Sequence, residues 1–289
     1  MVRRLALSGS LEKFVRIVSL LPSATDIVVA LGATDNLVGV SHSCSGDWSQ
    51  LPKLTSTWVD VEASSAVIDE QVRSASRPLY ELDVETLEQL APDVVISQSL
   101  CDVCAVPSGD VMQAILALPG KPELVDLTPN VLSDIPDCFS EVGAAIERKV
   151  DADILVGRWH GLFARFRYRH TSHHLRGAFL DWLDPPFVAG HWMPDMLEWL
   201  GVECVLGRSG EPSYSITWEE LSQVKPDLII AACCGFDIAR TTTEAENQTL
   251  PIVCLDGLEH FNRPSPALMQ SLEVLSEAID NHLGYRLRG

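Results

Sequence analysis

The sequence predicts an α/β fold of two Rossmann-like lobes joined by a single long α-helix. Three observations predict it. One stretch occurs twice: residues 85–96 read Glu-Thr-Leu-Glu-Gln-Leu-Ala-Pro-Asp-Val-Val-Ile, residues 219–230 read Glu-Glu-Leu-Ser-Gln-Val-Lys-Pro-Asp-Leu-Ile-Ile, and the two align without a gap. Each copy reads as a short amphipathic helix, a Pro-Asp turn and a buried parallel strand. Proline cannot continue the helical hydrogen-bond ladder, and a short β-branched apolar run suits a strand covered on both faces. Two copies this far apart point to two similar lobes. Further strand and helix signals flank each copy. Between them, residues 130–170 carry no strand signal, while 140–169 keep helical spacing through Val142, Ala145, Ile146, Ile154, Leu155, Trp159, Leu162, Phe163 and Phe166. The expected boundaries are 15–129 for the N-terminal lobe, 130–172 for the connecting helix and 173–289 for the C-terminal lobe.

Taken in order, 15–21 reads as the first core strand. Pro22-Ser23-Ala-Thr25-Asp26 opens a helix that Gly32 ends, with Ser23 as the expected N-cap and Asp26 as its capping-box acid. A second strand spans 37–41. Residues 45–80 read as irregular, with a short helix near 68–74. A helix near 111–118 and a strand at 123–127 finish the first lobe. The second lobe opens with a strand at 175–183 and a helix over 195–200. Strands at 228–232 and 251–256 and a final helix over 267–283 complete it.

The chain has 289 residues, which suits two lobes of ordinary size, and its 46% apolar content supports sizeable cores. No apolar run approaches a membrane span, so the chain is not expected to be membrane-embedded. Against 21 basic residues stand 40 acidic ones, a net charge of −19. That excludes nucleic acid as the expected partner, because phosphate binding needs a basic footprint. The first ten residues contain two arginines but only a three-residue apolar run, too short for an export signal. The chain as written is therefore expected in the cytoplasm, or in the periplasm or at the cell surface if its N-terminus is incomplete. Of the eight cysteines, Cys138, Cys204 and Cys254 sit in apolar surroundings and read as core thiols.

Open parallel sheets bind ligands beyond the carboxyl ends of their strands. Applied to each lobe, this rule gathers polar, sulfur and aromatic residues on one rim. In the first lobe the rim holds Pro22 and Ser23, then His42 and Cys44, then Gln98, Cys101 and Cys104. In the second it holds Pro186, His191 and Trp192, then Cys234 and Phe236, then Phe261 and Arg263. If the rims face each other they enclose a ligand cleft. Trp58, Trp192, Phe236 and Phe261 offer wide rigid contact area for a large planar ligand. Arg263 offers a planar fork for a carboxylate or phosphate.

Cys101-x-x-Cys104 supports three readings: half a zinc site, a redox pair, or two small thiols packed in a loop. A soft-metal or cobalt-type site using His42, Cys44, Cys101, Cys104, His191 or Cys234 is a further reading. No nucleophile elbow, Walker loop or Gly-rich dinucleotide fingerprint occurs, so a binding protein is expected rather than an enzyme. The competing class is a thiol-dependent enzyme using Cys101 and Cys104.

These residues resemble a known family. Ile17-Val-Ser-Leu-Leu-Pro-Ser-Ala-Thr25-Asp-Ile, Leu31-Gly32 and Leu37-Val-Gly-Val40 resemble the opening of the class III periplasmic-binding-protein domain for vitamin B12 and iron chelates. Tyr80-Glu-Leu-Asp83, Pro92-Asp93 and Gln98 continue it. Cys101-Asp-Val-Cys-Ala-Val106, Trp182-Leu-Asp-Pro-Pro186, Gly190-His-Trp192 and Phe261-Asn-Arg-Pro264 are similar to a subgroup labelled cobalamin-binding. The resemblance covers about residues 15–283. It implies a cleft binder that carries a corrinoid or similar large metal chelate as bound ligand to the membrane subunits of an ABC importer; the alternative is a cytosolic homologue that binds haem, an iron siderophore or a metal ion. In cobalamin-binding members one glutamate per lobe docks on those subunits, and these glutamates match Glu85 and Glu219. The subgroup usually has acids after its histidine, where this chain has Ser43 and Ser45.

Overall fold

The computed structural model describes residues 14–100, 106–166, 175–246 and 248–286. The N-terminal part contains β1 (Ile17–Ser19), α1 (Pro22–Ala30), β2 (Leu37–Val40), β3 (Thr55–Thr57), α2 (Ser65–Arg73), β4 (Tyr80–Leu82), α3 (Val84–Leu90), β5 (Val94–Gln98), α4 (Ser108–Ala117) and β6 (Glu123–Leu127). Two helices follow, α5 (Ile135–Ala145) and α6 (Lys149–Phe166). The C-terminal part contains β7 (Leu175–Leu183), β8 (Pro186–Val188), α7 (Met193–Trp199), β9 (Val202–Cys204), β10 (Tyr214–Ser215), α8 (Trp218–Gln223), β11 (Leu228–Ala231), α9 (Ile238–Ala245), β12 (Val253–Cys254) and α10 (Leu268–Arg286).

The first sheet is parallel, in the order β2-β1-β5-β6. The second runs β10-β8-β7-β11-β12, with β9 also paired to β7. In it, β9, β7, β11 and β12 are parallel and the hairpin strands β8 and β10 antiparallel. Alternate residues of each buried strand face different cores, as the two-residue period of a strand requires. In β5, Val94 and Ile96 enter the large central core while Val95 enters a smaller one under α3 and α4. In β11, Leu228 and Ile230 enter the same central core, and Ile229 and Ala231 enter a third core behind β7. The central core is continuous across α1, α5, α6, α7 and α10.

The two copies of the repeated stretch build the same clasp. In the first, the Arg16 N–H donates to the Asp93 carboxylate at 2.9 Å, and the Arg16 guanidinium donates to the Leu90 carbonyl at the end of α3. In the second, the Arg176 N–H donates to Asp227 at 3.0 Å, and its guanidinium donates to the Val224 carbonyl after α8 at 2.7 Å. Both helices are followed by a residue of positive φ, Ala91 and Lys225. A cation on the last carbonyls of a helix complements the negative end of its dipole. The aspartate of each Pro-Asp turn thus ties the helix exit to the neighbouring strand.

Several local expectations are corrected. The helical spacing over 140–169 is interrupted: α5 and α6 form a hairpin, turned at 146–148 with Glu147 at φ 60°. Periodicity counts through a three-residue turn almost in phase, so spacing alone does not show it. The long helix between the two sheets is α6, of 18 residues. Helix α1 starts one residue before the expected cap. Pro22 takes the first turn, where its missing N–H is harmless, and Ser23 is buried within the helix. The stretch 45–80, expected to be irregular, holds β3, which pairs antiparallel with β4 at its end. Helix α9 had no sequence signal, because Thr241-Thr242-Thr243 reads as strand by its β-branching. In the fold, Asp237 caps it by accepting from the Arg240 N–H at 2.8 Å, and Thr242 and Thr243 bond back to the carbonyls of Ile238 and Ala239.

Candidate functional site between the two sheet rims

The loop after β2 is built by a chain of hydroxyls, those of Ser41 and Thr55 buried. Ser41 Oγ lies 2.8 Å from Thr55 Oγ1 and 3.0 Å from Ser43 Oγ. Thr55 Oγ1 accepts the His42 N–H and lies 2.7 Å from His42 Nδ1. The half-buried imidazole is held below the ordinary histidine pKa by burial, and then by nearby Lys53. Cys44 is buried with its sulfur 3.1 Å from Thr25 Oγ1, and burial pushes its thiol up. Ser19 accepts from Thr25 at 2.8 Å, fixing the start of α1 to the end of β1. Gln98 ends β5 and is buried, and Pro22 is half-buried on the first turn of α1.

From the opposite rim, Arg263 reaches across. Its Nη2 donates to Ser45 Oγ at 2.8 Å, and its Nη1 lies 3.9 Å from Asp26 Oδ2. Burial raises the Asp26 carboxyl above its ordinary range; Arg263 and a hydrogen bond from Ser265 oppose that rise. The acid expected to cap α1 therefore serves a contact between lobes. A second bridge lies at the ends of β7 and β11. Arg240 donates to the Val61 and Ala63 carbonyls, Glu244 accepts from Ser65, and Trp182 Nε1 donates to the Ser65 carbonyl at 3.2 Å. The rims face each other and touch at both places.

The aromatic wall expected on the second rim is corrected. Trp192 is 5% exposed and its Nε1 donates to the Phe261 carbonyl at 2.8 Å; Phe261 is fully buried against Phe179. Phe236 is buried between Trp182 and the Arg240 guanidinium, 3.6 Å from the ring centroid. These rings form core and leave little face for a ligand. Trp58 stays half-exposed, with Nε1 donating to the Pro78 carbonyl and Arg77 over its ring. Pro186 is buried in β8, and Cys234 is exposed after β11.

His191 has φ 51°, and its Nδ1 is buried without a hydrogen-bond partner among the described residues. Burial lowers its pKa, which favours a neutral ring. Gly190 before it could carry no Cβ, which would sit 2.2 Å from the Glu211 carbonyl oxygen. Cys101 and Cys104 lie outside the described residues. Burial pushes Cys138 up to about 12, Cys204 up to about 11, and Cys233 and Cys254 upward as well. Such thiols are poor nucleophiles and poor metal ligands at neutral pH. The described residues contain no group of three or more His, Cys, Asp or Glu placed to hold a metal ion.

Glu85 and Glu219 are exposed at the starts of α3 and α8. Gln89 Nε2 donates to Glu85 at 3.3 Å and Gln223 Nε2 to Glu219 at 3.5 Å. Sequence reasoning missed Asp26 as a rim residue, and also Thr55, Ser65, Arg240 and Glu244. The one available signal was Ser45, at a position where the resembling subgroup carries an acid.

A family model described as periplasmic binding protein matches residues 17–251. No curated protein matches the chain. Among solved structures, the chain is similar to the periplasmic vitamin B12 binding protein BtuF of Vibrio cholerae, at 18% identity and TM-score 0.63, over 93% of this chain and 97% of that one. It is also similar to the periplasmic heme-binding protein RhuT from a Roseiflexus species, at 21% and 0.66, over 92% and 98%. A possible iron-binding protein from Staphylococcus epidermidis matches at 20% and 0.66, over 91% and 98%. Among the described residues no helix is long and apolar enough to cross a membrane.

Proposed function

We propose, for a chain that belongs to the family of periplasmic binding proteins, the function of a substrate-binding protein of the ABC-importer type whose ligand is a corrinoid or a similar large metal chelate. The observation that carries this reading is the meeting of two parallel-sheet rims, Asp26 and Ser45 on one against Arg263 on the other. Ligands of open parallel sheets bind at such rims. His42 supports a metal chelate. Its pKa is lowered, which keeps the imidazole neutral at neutral pH, and its Nδ1 is anchored on Thr55. Metal-ligating histidines are neutral, with the second nitrogen held by a neighbour. Similar structures include proteins described as binding vitamin B12 and heme, both large metal chelates.

The test is a titration of the full chain with cyanocobalamin, cobinamide and hemin, read by tryptophan fluorescence and visible absorbance. Saturable quenching by a corrinoid is expected at micromolar concentration, a scale typical of modest specific affinity. His42→Ala is expected to weaken it by about tenfold, or about 1.4 kcal/mol. Saturation by hemin alone would move the ligand to the heme class. No saturation by any of the three would sink the chelate reading.

A further inference from the structure

Residues 61–73 belong to the N-terminal lobe by chain order, yet the start of this segment is held by residues of the C-terminal lobe. Helix α2 begins at Ser65, and Ser64 before it supplies no side-chain cap. The cap comes from the other lobe: the Glu244 carboxylate accepts from the Ser65 N–H at 3.2 Å and from its hydroxyl at 2.6 Å. An anion is favourable at that end of a helix. Four residues earlier on α9, Arg240 donates to the Val61 carbonyl at 2.5 Å and to the Ala63 carbonyl. Its guanidinium is also held over Phe236. Trp182 Nε1 donates to the Ser65 carbonyl, and Ile68 packs against the core behind β7. Ser65 is fully buried in this seat.

Opening the lobes would remove the cap and both carbonyl contacts together. Helix α2 has nine residues. Helices shorter than about 12–15 residues are marginal in water without tertiary support. We propose that residues 61–73 are a strap that the C-terminal lobe holds across one end of the cleft, with Arg240 and Glu244 as its latch, and that order in α2 is coupled to lobe separation. The latch grips mainly main-chain atoms, so it senses where the strap lies rather than which side chains it carries.

Amide hydrogen exchange by mass spectrometry on the full chain tests it, comparing the parent with Arg240→Ala, Glu244→Gln and the pair. In the pair, peptides covering 61–73 are expected to exchange about tenfold faster, as for a locally opened segment, while peptides of β5 and β11 stay unchanged. Arg263→Ala, at the other end of the cleft and without contact to the strap, is expected to speed exchange in 61–73 as well. Parent-like protection of 61–73 in the folded pair would overturn the latch. Equal acceleration in every peptide would also overturn it, by making Arg240 and Glu244 ordinary stability residues. No effect of Arg263→Ala would overturn the coupling. If the pair does not fold, Arg240→Lys keeps the charge but loses the fork that spans two carbonyls, and a parent-like strap in that variant would count against the latch.

Discussion

Asp181 shows how a single side chain can tie stability to pH. It lies on β7, where its carboxylate accepts from Ser213 Oγ at 2.5 Å, and burial pushes its pKa up to about 6 from the ordinary 3.8. The folded-state value exceeds the unfolded one, so the group's contribution to stability is full below about pH 3.8 and is lost as the pH rises through about 6. The gap corresponds to about 3 kcal/mol, at about 1.4 kcal/mol per pH unit. Asp181→Asn keeps an acceptor for Ser213 and removes the charge. Relative to the parent, the variant is expected to gain up to about 3 kcal/mol between about pH 4 and pH 7, read from urea midpoints. Taking the difference matters because Asp47, Asp83 and Glu220 have lowered pKa values and titrate in the opposite sense in both proteins. A difference that stays flat with pH would show that Asp181 is not strained by its charge. Other residues of the second rim answer to packing instead: Trp192 and Phe261 are the hydrogen-bonded floor of the lobe.

At the scale of elements, the α5–α6 hairpin decides how the lobes are joined. Phe139 of α5 meets Trp159 of α6 at 5.7 Å, Trp159 stacks on Phe163 at 4.5 Å, and Phe163 meets Trp199 of α7 at 5.3 Å. Trp199 Nε1 also donates to the Phe163 carbonyl at 3.1 Å. This ladder fastens the connecting helix to the C-terminal lobe. The hairpin closes only because Gly143 has no side chain: a Cβ there would lie 2.4 Å from the Ala152 Cβ and 3.2 Å from the Arg148 carbonyl oxygen. Gly143→Ala gains about 0.5–1 kcal/mol in helix propensity but is expected to lose about 1–3 kcal/mol to overpacking. A net fall in thermal midpoint is expected, with recovery when Ala152→Gly is added. Failure of the second substitution to recover stability would place the clash elsewhere.

For the whole molecule, the duplicated stretch places equivalent glutamates on the two lobes. Glu85 and Glu219 each open a helix, each is exposed, and each meets the glutamine four residues on. An acid at a helix start interacts with the dipole by a few tenths to one kcal/mol, so local structure alone accounts for both. Docking on an importer asks more of them. Charge complementarity across an interface acts mainly on orientation and encounter rate. Glu85→Ala with Glu219→Ala is expected to leave melting temperature and ligand titration nearly unchanged, and to abolish co-purification with the membrane subunits of a partner importer. Retained co-purification would remove docking from the reading.

The α/β class, the two equivalent lobes and the strands at 123–127 and 175–183 are legible in the chain alone, because they follow from local periodicity, proline stops and a repeated stretch. The chain also pointed to His42 and Arg263 as rim residues, because strand ends mark the rims of parallel sheets. Which aromatics face a cleft and which fill a core depends on long-range packing, since Trp192 and Phe261 carry the same hydrophobic signal in either place. The hairpin break before α6, the helix α9 and the pairing of β3 with β4 were also illegible. Each depends on partners distant in the chain or on caps that override local propensity. The contacts across the cleft, Arg263 with Ser45 over 218 residues and Glu244 with Ser65 over 179, leave no local trace, because a contact between lobes imposes no period on either segment that makes it.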